Sequence, residues 1–90
     1  MDAKQEMEAV LKTLEEEYRF WMVEVIAMDR GIESMEEELQ SHDRELGSER
    51  AADLRRRLGQ VRTKHEQIEA RLLHIRERLD ELRTRISEVQ

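Results

Sequence analysis

Apolar residues recur along this chain at alternating steps of four and three. The first series is Met7, Leu11, Leu14, Tyr18, Trp21, Val25, Met28, Ile32, Met35, Leu39, His42 and Leu46, with one histidine among the apolar side chains. The second is Leu54, Leu58, Val61, His65, Ile68, Leu72, Ile75, Leu79, Leu82, Ile86 and Val89. These are the a and d positions of two heptad repeats, which wind helices into a coiled coil. The step from Leu46 to Leu54 is eight residues, so the two series are out of phase across Gly47. A continuous helix would need altered winding there. A turn removes the conflict. Gly47 suits the left-handed residue that ends a helix, and Ser48 suits the N-cap of the next, with Glu49 well placed against its dipole. The pattern predicts one all-α domain over 1–90: a first helix at about 3–46, a turn at 47–48 and a second helix at about 49–89. Gly31 and Gly59 lie inside these helices, where each costs about 1 kcal/mol against alanine.

The polar positions beside the seam say how the helices pair. In the first series the e and g residues are Glu8, Val10, Glu15, Glu17, Met22, Glu24, Asp29, Gly31, Glu36, Glu38, Asp43 and Glu45, none of them basic. In the second they are Arg50, Arg55, Arg57, Arg62, Lys64, Glu69, Arg71, Arg76, Arg78, Arg83 and Arg85, with Glu69 the only acid. Such residues choose the partner of a coiled coil. Each half is therefore expected to pair with the other, antiparallel, while like halves repel. A domain-swapped rod of two extended chains offers the same contacts through a different hinge. The cap residues favour the closed hairpin.

In the middle of the first helix the apolar residues exceed what a seam needs. Phe20, Val23 and Ala27 fall at c, f and c, facing away from the second helix, with Ile26 beside them. Leu73 stands off the seam at the matching level of the second helix. A two-helix hairpin cannot cover such a girdle, and a helix apolar all round is usually buried all round. The expected interface is Phe20, Trp21, Val23, Ile26, Ala27 and Leu73. It closes a homodimer, giving an elongated four-helix bundle, or receives a helix of another protein. Leucine at a with isoleucine at d in the second helix also points to more than two helices.

Composition narrows the remaining possibilities. Charged residues make up 42% and proline is absent, as in long helices. The net charge of −6 divides into five basic and fourteen acidic side chains in 1–47, giving −9, and eleven basic and eight acidic in 48–90, giving +3. The overall sign disfavours nonspecific binding to nucleic acid or anionic lipid. There is no cysteine, hence no disulfide or thiolate chemistry. The longest apolar cluster, Phe20 to Met28, contains Glu24 and is too short to span a bilayer. The opening residues do not read as a secretory signal, so cytoplasmic placement is expected.

Candidate chemistry is sparse. Leu39, Arg62 and Arg71 stand three residues before His42, His65 and His74, so the Glu-x-x-His pairs of a di-metal bundle are absent. No metal or other cofactor is expected. His42 and His65 lie on the seam, as polar residues that fix register and make the interface sensitive to pH. Glu15 to Glu17 and Glu36 to Glu38 occupy e, f and g, a solvated face. No nucleophile motif or phosphate loop occurs. Arg55, Arg56, Arg57 and Arg62 start the second helix as a basic stretch, the candidate contact for nucleic acid. All but Arg56 are at e or g and so pledged to the first helix, and 48–90 offers no aromatic ring to stack a base. The expectation is a non-catalytic structural, adaptor or chaperone-like coiled-coil module that self-associates through its waist. Two alternatives stand beside it: a nucleic-acid-associated regulator using those arginines, and a small helical enzyme or ligand-binder with a pocket around Trp21 and His74.

Overall fold

The computed structural model describes residues 2–41 and 47–89, which form two helices, α1 (Ala3–Ser41) and α2 (Ser48–Val89), folded into an antiparallel hairpin. The rod measures 64 × 18 × 15 Å. Its length is that of α2 alone, about 63 Å at 1.5 Å per residue. The seam residues His42 and Leu46, and the flanking Asp43 and Glu45, lie outside the described residues.

Both helix starts are capped. Asp2 Oδ1 accepts the Gln5 N–H at 2.7 Å, and Gln5 Oε1 accepts the Asp2 N–H at 3.2 Å. This reciprocal capping box satisfies two of the donors that every helix start leaves open. At α2 the cap differs from expectation. The Gly47 carbonyl accepts the Ala51 N–H at 3.1 Å and so opens the α2 ladder at the N-cap, while the Ser48 side chain, expected to cap it, lies outside the described side chains. No described glycine has a positive φ, so Gly47 is not the left-handed terminator read from the sequence. Glycine is accepted at an N-cap, where its small size leaves the first N–H groups open to water.

The register follows from the flanking ion pairs. Glu38 meets Arg50 at 2.9 Å, and three heptads further along each helix Glu17 meets Arg71 at 2.7 Å. These are g-to-g pairs on one side of the rod. On the other side the e-to-e pairs are Glu36 with Arg62 and, again three heptads on, Glu15 with Arg83 at 3.9 Å. One constant register therefore runs the length of the hairpin, and it sets a against d in every layer. Val25 lies against Ile68, and with Leu72 they form a buried cluster closed by Tyr18, Trp21, Met22 and Met28.

Burial is uneven between the helices. In α2 the seam residues Leu54, Leu58, Ile68, Leu72, Ile75, Leu79 and Leu82 are buried, and Ile75 is wholly enclosed. The buried Ala51 extends the series by one further a position. In α1 only Val25 is buried; the other described seam residues are half-exposed. Several of these are long (Met, Tyr, Trp) and reach past a contact only two helices wide, and in doing so they cover the compact Leu and Ile side chains opposite. Val89, assigned to the seam, is 55% exposed. In this register its level on α1 is Lys4, which offers no apolar partner.

Candidate functional site

Residues 18 to 28 of α1 and 68 to 76 of α2 form the waist. Heptad letters place each side chain around the helix in the order a, e, b, f, c, g, d, because successive residues turn by 100°. The e flanks of the two helices meet on one side of the rod and the g flanks on the other. Phe20 and Ala27 (both c) thus tend to the g side, Val23 (f) points straight out, and Ile26 (b) tends to the e side. Phe20 is 57% exposed, Val23 66% and Ile26 46%; Ala27 is also exposed. They form one continuous stripe on the back of α1. Leu73, 58% exposed, is at b of α2 and lies on the e side beside Met22. The six residues expected to form one interface therefore occupy two faces, and Trp21 belongs to the seam.

Trp21 is pinned from both sides. Its indole N–H reaches Glu17 Oε1 at 3.4 Å, and the Phe20 ring meets it edge-on with centroids 5.1 Å apart. The same Glu17 oxygen accepts two N–H bonds from Arg71, at 2.7 and 3.1 Å. The bond from Arg71 holds the Glu17 carboxyl below the usual range; partial burial opposes this, while the Trp21 N–H and the charge of Arg71 add to it. A coil-flanking ion pair thus also orients the waist tryptophan.

The e side is different. Met22 faces Arg76 across the seam, and Arg76 has no ion pair among the described residues. One heptad further along α1, Asp29 faces Glu69, the only acid on the flanks of α2. His65 stands between them, with Nε2 2.6 Å from Asp29 Oδ1 and Nδ1 2.7 Å from Glu69 Oε1. Despite this close contact, the buried Nε2 has no hydrogen-bond partner. His65 separates two like charges at the one level where the flanking ladder would otherwise clash. That placement accords with a polar residue fixing register.

Two shallow clefts open on this side. One of about 190 Å³ is lined by Tyr18, Met22, Glu69, Leu72, Leu73 and Arg76. The other, about 510 Å³, is lined by Glu15, Tyr18, Arg19, Arg76, Leu79, Asp80 and Arg83. Neither includes Trp21 or His74, around which a pocket was expected. His74 is exposed on α2. Among the described residues no group of three His, Cys, Asp or Glu could hold a metal ion.

The basic start of α2 is internally paired. Arg56, expected to be free on the outer face, lies 2.6 Å from Asp53, and Arg57 lies 3.0 Å from the same carboxylate. Arg57 thus turns to its own helix, since the matching g position of α1 is Gly31. Arg62 pairs with Glu36, and Arg55 is also partnered. The Asp2–Gln5 box and the threefold use of Asp53, by Arg50, Arg56 and Arg57, were readable as i,i+3 and i,i+4 spacings but lie outside the seam pattern. No helix among the described residues is long and apolar enough to cross a membrane. No family model, curated protein or solved structure matches the chain.

Proposed function

We propose that this chain is a non-catalytic coiled-coil module, of structural, adaptor or chaperone-like kind, that self-associates through its waist. One observation carries the reading. The hairpin covers its own seam, yet Phe20, Val23 and Ile26 remain exposed as one stripe on a rod whose surface is otherwise strongly charged. An apolar patch rimmed by charge is the common mark of a protein contact. In the basic stretch, Arg56, Arg57 and Arg62 are occupied by acids of the chain itself and Arg55 is also partnered, which favours protein contact over phosphate contact.

The test is solution mass by light scattering over a wide concentration range. The wild-type chain is expected to reach at least twice its 10.9 kDa. Phe20→Glu combined with Val23→Glu is expected to return it to that mass with helix content retained. A wild-type monomer at every concentration, or a double variant of unchanged mass, would overturn the reading.

A further inference from the structure

The outermost line of α1, its f positions, reads Ala9, Glu16, Val23, Arg30, Glu37. Val23 is the most exposed large apolar residue described. One heptad to either side, about 10 Å away, stand residues of opposite charge. The b line repeats the arrangement further out, with Lys12 on one side and Glu33 on the other. None of these four has an ion pair among the described residues, although most arginines of the flanking ladder do. Between them lies the stripe of Phe20, Val23, Ile26 and Ala27.

Resting on the waist self-association above, we propose that the occupant of this stripe is the α1 of a second copy, packed antiparallel with the two-fold axis beside Val23. In that register Val23 meets Val23 of the second copy and Phe20 lies beside the second copy's Ala27. Glu16 faces the second copy's Arg30, and Lys12 comes near its Glu33. Each off-axis contact occurs twice, as an isologous interface requires. A surface whose charges change sign about its own centre is complementary to itself turned end for end. A foreign helix imposes no such symmetry. Parallel pairing of the same stripe sets Glu16 on Glu16 and Arg30 on Arg30, and like charges in contact reject that arrangement.

The experiment exchanges charges at low ionic strength, where exposed ion pairs are least screened. Glu16→Arg and Arg30→Glu are made separately, and self-association is followed by sedimentation and native mass spectrometry. Each variant alone is expected to self-associate about tenfold more weakly, because two pairs per dimer turn from attraction to repulsion. An equimolar mixture is expected to form the mixed dimer preferentially, since opposite charges then face each other at both ends. The double variant Glu16→Arg with Arg30→Glu is expected to associate like the wild type. If the wild type is monomeric, the waist reading itself falls. If it is a dimer dissociated by Phe20→Glu with Val23→Glu, while the charge variants associate normally and show no mutual preference, the antiparallel register is overturned and the waist reading stands.

Discussion

Replacing Ile75 with alanine should cost the hairpin more than any single change on its surface. Among the described residues Ile75 is the one large side chain with no exposed area, in the layer opposite Tyr18 at the edge of the waist. Truncation removes three carbons, worth about 2.4 kcal/mol at roughly 0.8 kcal/mol per methylene. A cavity term adds to this in a rigid core, and buried Ile→Ala changes range over about 2–5 kcal/mol. Here the layer is only two helices wide, and the half-exposed Tyr18 and Trp21 can move in from the side. The loss should therefore fall near the lower end, about 2–3 kcal/mol. A chain of this size is stable by about 5–13 kcal/mol on a per-residue basis, so the loss is a large fraction of the total. The assay is urea unfolding followed by far-ultraviolet dichroism and by Trp21 fluorescence. It is run at a fixed low protein concentration, so that association does not enter. Leu73→Ala serves as control; with 58% of the residue exposed it should cost below about 1 kcal/mol in the isolated hairpin. An Ile75→Ala loss under about 1 kcal/mol, or a larger loss from Leu73→Ala, would refute the seam assignment.

Two further outcomes follow from the helices and their flanks. The Glu17 carboxyl is held below its ordinary value of 4.5, so it favours the folded state above that pH and ceases to as pH falls through the lowered folded value. The Tm difference between wild type and Glu17→Gln should therefore shrink on going from neutral pH to about pH 3, by an amount worth less than about 1 kcal/mol because the pair is exposed; an equal difference at both pH values would show that the Arg71 bond contributes nothing. Gly31 and Gly59 are helical with nothing within 4 Å of an added Cβ, so Gly31→Ala and Gly59→Ala should each raise stability by about 0.5–1 kcal/mol, seen as a Tm rise of about 2–8 °C. A fall at Gly31 would mean that another chain approaches that point of α1.

The seam was legible because its signal is redundant. Two series of about a dozen positions each, every one in its own phase, tolerate a histidine here and a tyrosine there without losing the period, and nearly every described one of them is covered. The exception, Val89, failed for a reason that periodicity cannot carry: a repeat says which face a residue occupies, not whether the opposite helix supplies an apolar partner at that level. The turn was less legible still. Glycine serves both to end a helix in the left-handed region and to begin one with its carbonyl, and one Gly-Ser pair cannot distinguish the two roles. Gly47 took the second role. The charge ladder lies between these cases. Its sign pattern set the direction of pairing, but individual arginines chose among acids on two helices by reach. Arg56 and Arg57 both turned to Asp53, and Arg78 and Arg85 both reached Glu81, all within α2.

The breaks in that ladder mark where it stops being about pairing. If the flanks served only to align α1 with α2, Met22 would be a glutamate facing Arg76, and Glu69 an arginine facing Asp29. These two exceptions fall on the e side of the waist, beside Leu73 and Ile26, within three turns of each other; the other two breaks, Val10 and Gly31, are g positions outside it. On the g side at the same level the ladder is kept, and Glu17 is bonded to both Arg71 and Trp21. Flank charges set pairing at a modest energy per pair, so omitting them locally costs little. What the omission leaves is a segment whose side chains are neither needed by the seam nor fixed by the ladder. That segment is the same stretch of α1 whose back carries Phe20, Val23 and Ile26. The e flank of the hairpin is thus under-committed at its middle, the distribution expected if the proposed contact with a second molecule is made there.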